Sequence, residues 1–99
     1  MGMKHFVLIY EFGDDYLTRR APFRAEHLAL ARAAVARGDV VLGGAFVDEP
    51  GGMLLFKAES AVVAEEFARR DPYVLNNVVL RWRVREWKTV VGADAMSSV

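Results

Sequence analysis

The feature that most constrains the fold is a tight turn, Asp48-Glu49-Pro50-Gly51-Gly52, between two apolar runs. Glycine and proline at this density mark a turn, and the flanking runs are rich in residues typical of strands. Strands joined by so short a link pair antiparallel. The run that starts at Val40 and reaches Gly43-Gly44 is therefore predicted to pair with the run that covers residues 53–56.

Two further strands and two helices flank this hairpin. Pro22 suits the first turn of a helix that reaches Arg37, and Gly38 suits its C-terminal stop. Ser60 is a plausible N-cap of the other helix, which ends near Arg70 because Pro72 cannot continue it. The strands are predicted at residues 6–10, which are apolar on both faces, and at residues 78–88, which alternate between apolar and basic side chains.

The resulting element order, β-α-β-β-α-β, predicts an α+β, ferredoxin-like fold with a four-stranded antiparallel sheet. Two helices cover one face of this sheet, and the other face is also apolar. An open apolar face needs a cover, and a second copy of the chain is the simplest one. We therefore expect a homodimer that pairs through its sheet. Residues 1–91 are expected to form one domain and residues 92–99 a flexible tail.

Composition narrows the range of functions. Thirteen basic and thirteen acidic residues cancel, which argues against nucleic acid or an anionic membrane as a partner. The sequence has no cysteine, which excludes disulfides and thiol chemistry. We find no signal peptide and no apolar stretch near the ~20 residues of a spanning helix. A cytoplasmic protein is the expectation.

The candidate chemistry centres on His27 and Asp71. Histidine titrates near pH ~6.5 and can accept and return protons, while a neighbouring carboxylate orients its ring. No serine or cysteine nucleophile stands beside the pair in the sequence, so proton transfer is favoured over acyl transfer. Each residue also has a structural interpretation: His27 as an ordinary member of a helix stripe, and Asp71 as a cap before Pro72.

Other candidates for the site are open to similar alternatives. Arg24 binds a substrate carboxylate, or orients Asp71, or is a solvated helix residue. Gly43 and Gly44 either form a bulge or let backbone amides approach a ligand. Tyr73 either packs or lines the pocket. The remaining residues singled out are His5, which we expect to be structural, and the row Arg81, Arg83 and Arg85, which we expect to be a solvated edge-strand face, with anion binding as the alternative.

Four short motifs in this order resemble the YCII-related family of dimeric α+β-barrel proteins. They are Arg24-x-x-His27-Leu28, Gly38 followed by Val41-Leu42-Gly43-Gly44, Asp71-Pro72-Tyr73, and Val84-Arg85-Glu86-Trp87. The resemblance spans about residues 4–90 and implies a ferredoxin-like protomer, a dimer through the sheet, and a His–Asp site at His27 and Asp71. It also implies lyase- or isomerase-like chemistry without a cofactor.

One position departs from the family pattern. Relatives often carry proline after the second glycine of strand two, where this chain has Ala45. The cleft wall at Gly44 and Ala45 is therefore expected to differ, which limits any transfer of substrate identity.

The sequence is compatible with two functions and argues against a third. The first is a cofactor-independent acid–base enzyme acting on a small molecule, and the second is a non-catalytic module that binds a small molecule in the same cleft. The third, RNA binding, is disfavoured because the strand that contains Met53 and Phe56 lacks the glycine and aromatic pattern of an RNA-recognition motif. No metal site is expected, because no third nitrogen or sulfur ligand accompanies His27 and Asp71.

Overall fold

The computed structural model describes residues 2–97 and contains one four-stranded antiparallel sheet, whose strands lie in the order β2-β3-β1-β4. The order of its main helices and strands confirms the predicted ferredoxin-like α+β fold. The strands are β1 (Lys4–Phe12), β2 (Val40–Ala45), β3 (Gly51–Ala58) and β4 (Val79–Trp87). The helices are α1 (Tyr16–Arg19), α2 (Arg24–Ala36), α3 (Val62–Arg70) and α4 (Pro72–Leu75).

Local sequence signals account for most helix boundaries. Pro22 lies in a 3₁₀ turn, Ala21–Phe23, that leads directly into α2. Gly38 follows α2 with a φ of 86°, a left-handed conformation that glycine adopts at little cost. Asp71 is extended, which separates α3 from α4 and agrees with the bias that Pro72 imposes on the residue before it. The one-turn helices α1 and α4 were not predicted.

The core lies between the sheet and the helices. Phe6, Leu8 and Tyr10 alternate along β1 on the helix-covered face and are almost completely buried. Their neighbours in β3 include Leu54 and Phe56, which are also buried. These side chains fix β1 as a central strand and bring Tyr10 beneath the helix layer.

A register shift between β1 and β4 changes the side of the sheet on which the first residues of β4 lie, compared with the prediction. The alternation in the sequence groups Val79 with the arginines on one side of the strand and Leu80 with Trp82 and Val84 on the other. In the structure Phe12 pairs with Val79 whereas Glu11 pairs with Arg81, so that Leu80 is the additional residue. Val79 is buried and Leu80 is 62% exposed. A bulge changes which side of the sheet each residue faces, and a strict two-residue period cannot anticipate it.

The second face of the sheet is open in the single chain. Arg81, Arg83 and Arg85 lie on it in β4, an edge strand, beside Val7 and Ile9 of β1. Its other members include Leu42, Met53, Leu55 and Trp87. Leu42 is 69% exposed. The apolar character predicted for this face is present in β1 and β3, whereas β4 contributes the three arginines.

The chain after β4 returns to the start of β1. Buried His5 places Nδ1 2.8 Å from Oγ1 of Thr89. The amide of Met96 donates to the same oxygen, and the amide of Ser97 donates to the carbonyl of Thr89. The end of the predicted tail, residues 98–99, lies outside the described residues. The division into a domain and a tail stays a prediction.

Candidate active site

Asp71 is a fully buried carboxylate at the junction of α3 and α4. Pro72 occupies the first turn of α4, where its missing N–H costs nothing. The Asp71 side chain accepts a hydrogen bond of 2.9 Å from the amide of Tyr73, which is an N-cap interaction. The predicted role of Asp71 as a cap is therefore present, and it holds the carboxylate in one orientation.

Two side chains from distant parts of the sequence meet this carboxylate. The hydroxyl of Tyr10 donates a hydrogen bond of 2.7 Å to Oδ2 of Asp71. Nδ1 of His27 lies 2.9 Å from both carboxylate oxygens. Three elements, β1, α2 and the α3–α4 junction, thus converge on one buried group. A buried carboxylate is tolerated only when it is hydrogen-bonded in this way.

The partners of Asp71 define the tautomer of His27. A carboxylate only accepts hydrogen bonds, so a neutral His27 ring beside it carries its proton on Nδ1. Nε2, on the other edge of the ring, is then unprotonated and able to accept a proton. The His27 side chain is 14% exposed, whereas Asp71 is inaccessible to solvent. His27 is therefore the partly accessible member of this pair, and Asp71 is the buried one.

Tyr10 is held in its protonated form. Burial, the negative charge of Asp71 and the hydrogen bond to that carboxylate all raise the pKa of Tyr10 far above its ordinary value. Tyr10 is therefore a fixed hydrogen-bond donor at any physiological pH. In this site Tyr10 donates a hydrogen bond to one oxygen of Asp71 and so anchors the carboxylate to the sheet.

Tyr73 stacks on the histidine. The Tyr73 and His27 rings are almost parallel, at 6°, with centroids 3.8 Å apart. Phe12 meets the Tyr73 ring edge-on at 6.3 Å. The Tyr73 hydroxyl is buried and has no hydrogen-bond partner among the described residues. Stacking restricts the His27 ring in addition to its hydrogen bonds to Asp71.

A pocket of about 190 Å³ opens beside His27, between α2 and the sheet. From α2 it is lined by His27, Leu28, Ala31, Arg32 and Val35, and from the sheet by Tyr10, Phe12, Gly43, Gly44 and Leu54. Its walls are mainly apolar, with a few polar groups, which is the usual composition of a small-molecule site.

A larger cavity, of about 330 Å³, lies elsewhere between α2 and α3. Its rim carries Arg37, Asp39, Glu66 and Arg70, and Arg37 and Asp39 pair with each other at 3.0 Å. It contains no histidine and does not reach Asp71. Proton transfer needs a positioned acid or base, so the smaller pocket is the better candidate active site.

The structure brings some of the predicted site residues together and leaves others apart. His27 and Asp71 are in contact, Tyr73 covers the histidine, and Gly44 lines the pocket. Ala45 is next to Gly44 in β2 but is not part of the lining. Arg24 is exposed and has no hydrogen bond or ion pair within residues 2–97. Tyr10 and the Tyr73 amide, rather than Arg24, orient Asp71.

Sequence reasoning missed Tyr10 and Arg32. A signal for Tyr10 exists, because a tyrosine in a fully apolar central strand needs a partner for its hydroxyl. The sequence does not say which carboxylate supplies that partner. Arg32 follows His27 by five residues and is adjacent in the helical projection to Leu28, one turn earlier. That spacing places Arg32 on the Leu28 side of α2 and about 140° around the helix from His27, so the sequence alone does not join the two residues in one pocket.

Neither a metal centre nor a membrane span is found in the part of the chain that the structure describes. Within residues 2–97, no three side chains of the types His, Asp and Glu gather as potential metal ligands. Within the same residues, no helix has the length and apolar character needed to cross a bilayer.

Comparison with protein families gives one match over most of the chain. The family model described as the YCII-related domain matches residues 3–88. This range contains every residue of the candidate site. No curated protein matches the sequence significantly.

Two solved structures share the fold. The 5-chloro-2-hydroxyhydroquinone dehydrochlorinase TftG from Burkholderia phenoliruptrix AC1100, solved with 2,5-dihydroxybenzoquinone, has a TM-score of 0.74 and 23% identity, covering 87% of this chain and 95% of its own. Rv0793 from Mycobacterium tuberculosis has a TM-score of 0.57 and 17% identity, covering 93% of this chain and 99% of its own. At these identities the likeness shows the fold alone.

Proposed function

The chain belongs to the YCII-related family, and from this premise we propose that it is a cofactor-independent acid–base enzyme acting on a small molecule. His27 is the general base and Asp71 is its orienting partner. The observation that supports the proposal best is the pair of 2.9 Å contacts from Nδ1 of His27 to a solvent-inaccessible carboxylate. This leaves the other ring nitrogen available beside a pocket.

The proposed reaction starts with proton abstraction. Nε2 of His27 takes a proton from a C–H or O–H group of the substrate, and the electron pair of that bond moves into the substrate. The imidazolium that forms is stabilised by Asp71, which is already ionised and in hydrogen-bond contact. In a lyase-like reaction the electron pair expels a leaving group. In an isomerase-like reaction His27 returns the proton to another substrate atom.

TftG suggests a first substrate class. It is named for dehydrochlorination of a chlorinated hydroxyhydroquinone and was solved with a dihydroxybenzoquinone. Loss of hydrogen chloride follows the same scheme, because the base removes the proton and chloride leaves with the electron pair of the C–Cl bond. We include this reaction in the proposal as the first one to test on this chain.

We also propose that the protein is a homodimer through the open sheet face and that it acts in the cytoplasm. Exposed Leu42, together with Met53 and Trp87, supports the first part, since water contact with such a face is unfavourable. The absence of cysteine from the sequence agrees with the second part but does not require it.

The test compares native protein with His27→Gln and Asp71→Asn in chloride release from 5-chloro-2-hydroxyhydroquinone, measured under nitrogen because hydroquinones oxidise in air. A panel of halogen-free enolisable ring compounds, followed by deuterium exchange, covers isomerase-like chemistry. We expect turnover in each variant to fall by roughly 10²–10⁴-fold, the usual contribution of a positioned base. Glu26→Gln, an exposed change next to His27, serves as the matched control.

Two outcomes would contradict the proposal. Native turnover in both His27→Gln and Asp71→Asn would exclude the pair from the chemistry. A compound of the panel that binds in the pocket and is recovered unaltered, with no deuterium incorporated, would favour the non-catalytic binding module instead. Circular dichroism spectra of both variants establish that each is folded.

A further inference from the structure

The pocket beside His27 contains one side chain with a permanent charge. Of the ten described residues that line it, Arg32 is the only one that is charged irrespective of pH. Arg32 is exposed and has no ion pair or hydrogen bond within residues 2–97. The Asp71 carboxylate is buried behind His27 and does not line the pocket. The one fixed charge in the described lining of the pocket is therefore positive.

The positions of Arg32 and His27 set a distance scale along the pocket. Both belong to α2, and the offset of five positions corresponds to about 7.5 Å along the helix axis and about 140° around it. Leu28, Ala31 and Val35 of the same helix supply apolar contacts next to them. A ligand that reaches both polar residues thus has an apolar middle, with an anionic group at one end and the reacting atom at the other.

The volume of the pocket limits the size of that ligand. An apolar cavity of about 150 Å³ holds one benzene ring. The pocket here measures about 190 Å³, which leaves room for a ring with small substituents. Phe12 and Leu54 on the sheet side provide apolar side chains against which such a ring can pack.

We propose that Arg32 is the anion-recognition residue of this pocket and that the substrate is a single-ring compound with one anionic group, a carboxylate or an acidic phenol. A guanidinium holds a carboxylate through two parallel hydrogen bonds, which fixes the ring as well as attracting its charge. The inference rests on the proposed function only in taking this pocket as the substrate site. It does not depend on His27 being a base.

Binding of unreactive probes tests the inference separately from turnover. Benzoate and benzamide have nearly the same shape and differ in charge, so we would titrate both into native protein, Arg32→Gln, Arg32→Glu and Arg69→Gln. Arg69 lies on α3 over the Trp82 ring and does not line the pocket, which makes its variant a matched control for loss of one surface arginine. Calorimetry gives the dissociation constants, and chemical shifts of the His27 ring locate the probe.

We expect benzoate to bind native protein and Arg69→Gln more tightly than benzamide does. Arg32→Gln should raise the dissociation constant of benzoate about three- to tenfold, which is the range for a partly solvated charge pair. It should leave the dissociation constant of benzamide unchanged. Arg32→Glu should invert the preference, so that benzamide binds better than benzoate. Added salt should weaken benzoate binding to native protein and to Arg69→Gln, and should have little effect on Arg32→Gln.

Equal benzoate affinity in native protein and Arg32→Gln would overturn the assignment of Arg32. Absence of saturable benzoate binding to native protein would overturn the proposed ligand class. Neither result bears on His27, because turnover in the His27→Gln variant decides that question separately. Conversely, full turnover in His27→Gln combined with charge-selective binding through Arg32 would retain the inference and reject the acid–base mechanism.

Discussion

At the scale of single residues, Asp71 combines two functions that are usually alternatives. It caps α4 through the amide of Tyr73, and it holds His27 and the hydroxyl of Tyr10. The structural interpretation and the proposed catalytic interpretation of Asp71 therefore do not compete. A cap that is fully buried is also well placed to hold a histidine in one orientation.

The two buried tyrosines of the site are expected to respond oppositely to loss of their hydroxyls. Tyr10→Phe removes a hydrogen bond to a buried carboxylate and should lower the free energy of unfolding by about 1–3 kcal/mol. Tyr73→Phe removes a buried hydroxyl with no described partner and should be neutral or stabilising by up to about 1 kcal/mol. Urea unfolding of the two variants measures both. Equal destabilisation would show that the Tyr73 hydroxyl has a partner in solution.

The same hydrogen bond predicts how stability depends on alkaline pH. The pKa of Tyr10 is raised in the folded state, so its contribution is complete below the unfolded pKa of about 10 and decreases as pH rises above that value. The loss should be about 1.4 kcal/mol per pH unit for this one proton. Tyr10→Phe should remove that part of the slope, whereas Tyr16→Phe, at a partly buried residue of α1 with no hydrogen bond to Asp71, should keep it. An unchanged slope in Tyr10→Phe would contradict the assignment.

At the scale of elements, the β2–β3 hairpin forms one wall of the pocket and depends on close backbone approach. A Cβ atom on Gly52 would lie 2.5 Å from the carbonyl oxygen of Gly44 in the neighbouring strand. Gly44 itself has open space where its own Cβ would be. Gly44 pairs with Met53 and Gly52 pairs with Ala45, so the two glycines are diagonal neighbours with opposite tolerance for a side chain.

Gly52→Ala should therefore be much more costly than Gly44→Ala. We expect Gly52→Ala to destabilise the fold by about 1–3 kcal/mol, because the added methyl group meets backbone that must move. Gly44→Ala should change stability by less than about 0.5 kcal/mol. Thermal unfolding of both proteins tests the difference. Similar melting temperatures for the two variants would mean that β2 is free to move away from β3.

At the scale of the whole molecule, the sheet has one face packed against helices and one face without a cover. The uncovered face carries an apolar depression of about 350 Å³ lined by Leu42, Gly43, Gly44, Met53, Leu55 and Trp87. Gly43 and Gly44 also line the pocket beside His27. A second copy packed on this face would therefore be separated from the proposed active site only by strand β2.

The proposed dimer predicts a specific effect of charge on this face. Leu42→Glu, at a side chain that is 69% exposed in the single chain, should leave the fold intact and shift the protein from dimer to monomer. Leu75→Glu, on α4 and 65% exposed, should leave the dimer unchanged. Sedimentation equilibrium measures both. Native protein that remains monomeric at high concentration would contradict the dimer itself.

Sequence by itself determined the order of the main elements and the fold class. The direction of successive side chains repeats with a period that is set by the backbone of the helix or strand. Patterns such as Leu28-x-x-Ala31 or Arg81-x-Arg83 can therefore be interpreted locally. The residues that end a helix also act locally: Gly38 ends α2, and Pro72 separates α3 from α4. The candidate pair His27 and Asp71 came from residue chemistry together with the resemblance to a family.

Tertiary structure alone decided what surrounds that pair. Tyr10 is 61 positions from Asp71, and their hydrogen bond depends on the position of β1 in the sheet and on the placement of α3 over it. Arg32 became a pocket residue only when α2 was placed beside β2, and the bulge at Leu80 depends on how β4 pairs with β1. These contacts join distant segments through packing and strand register, which no local period encodes.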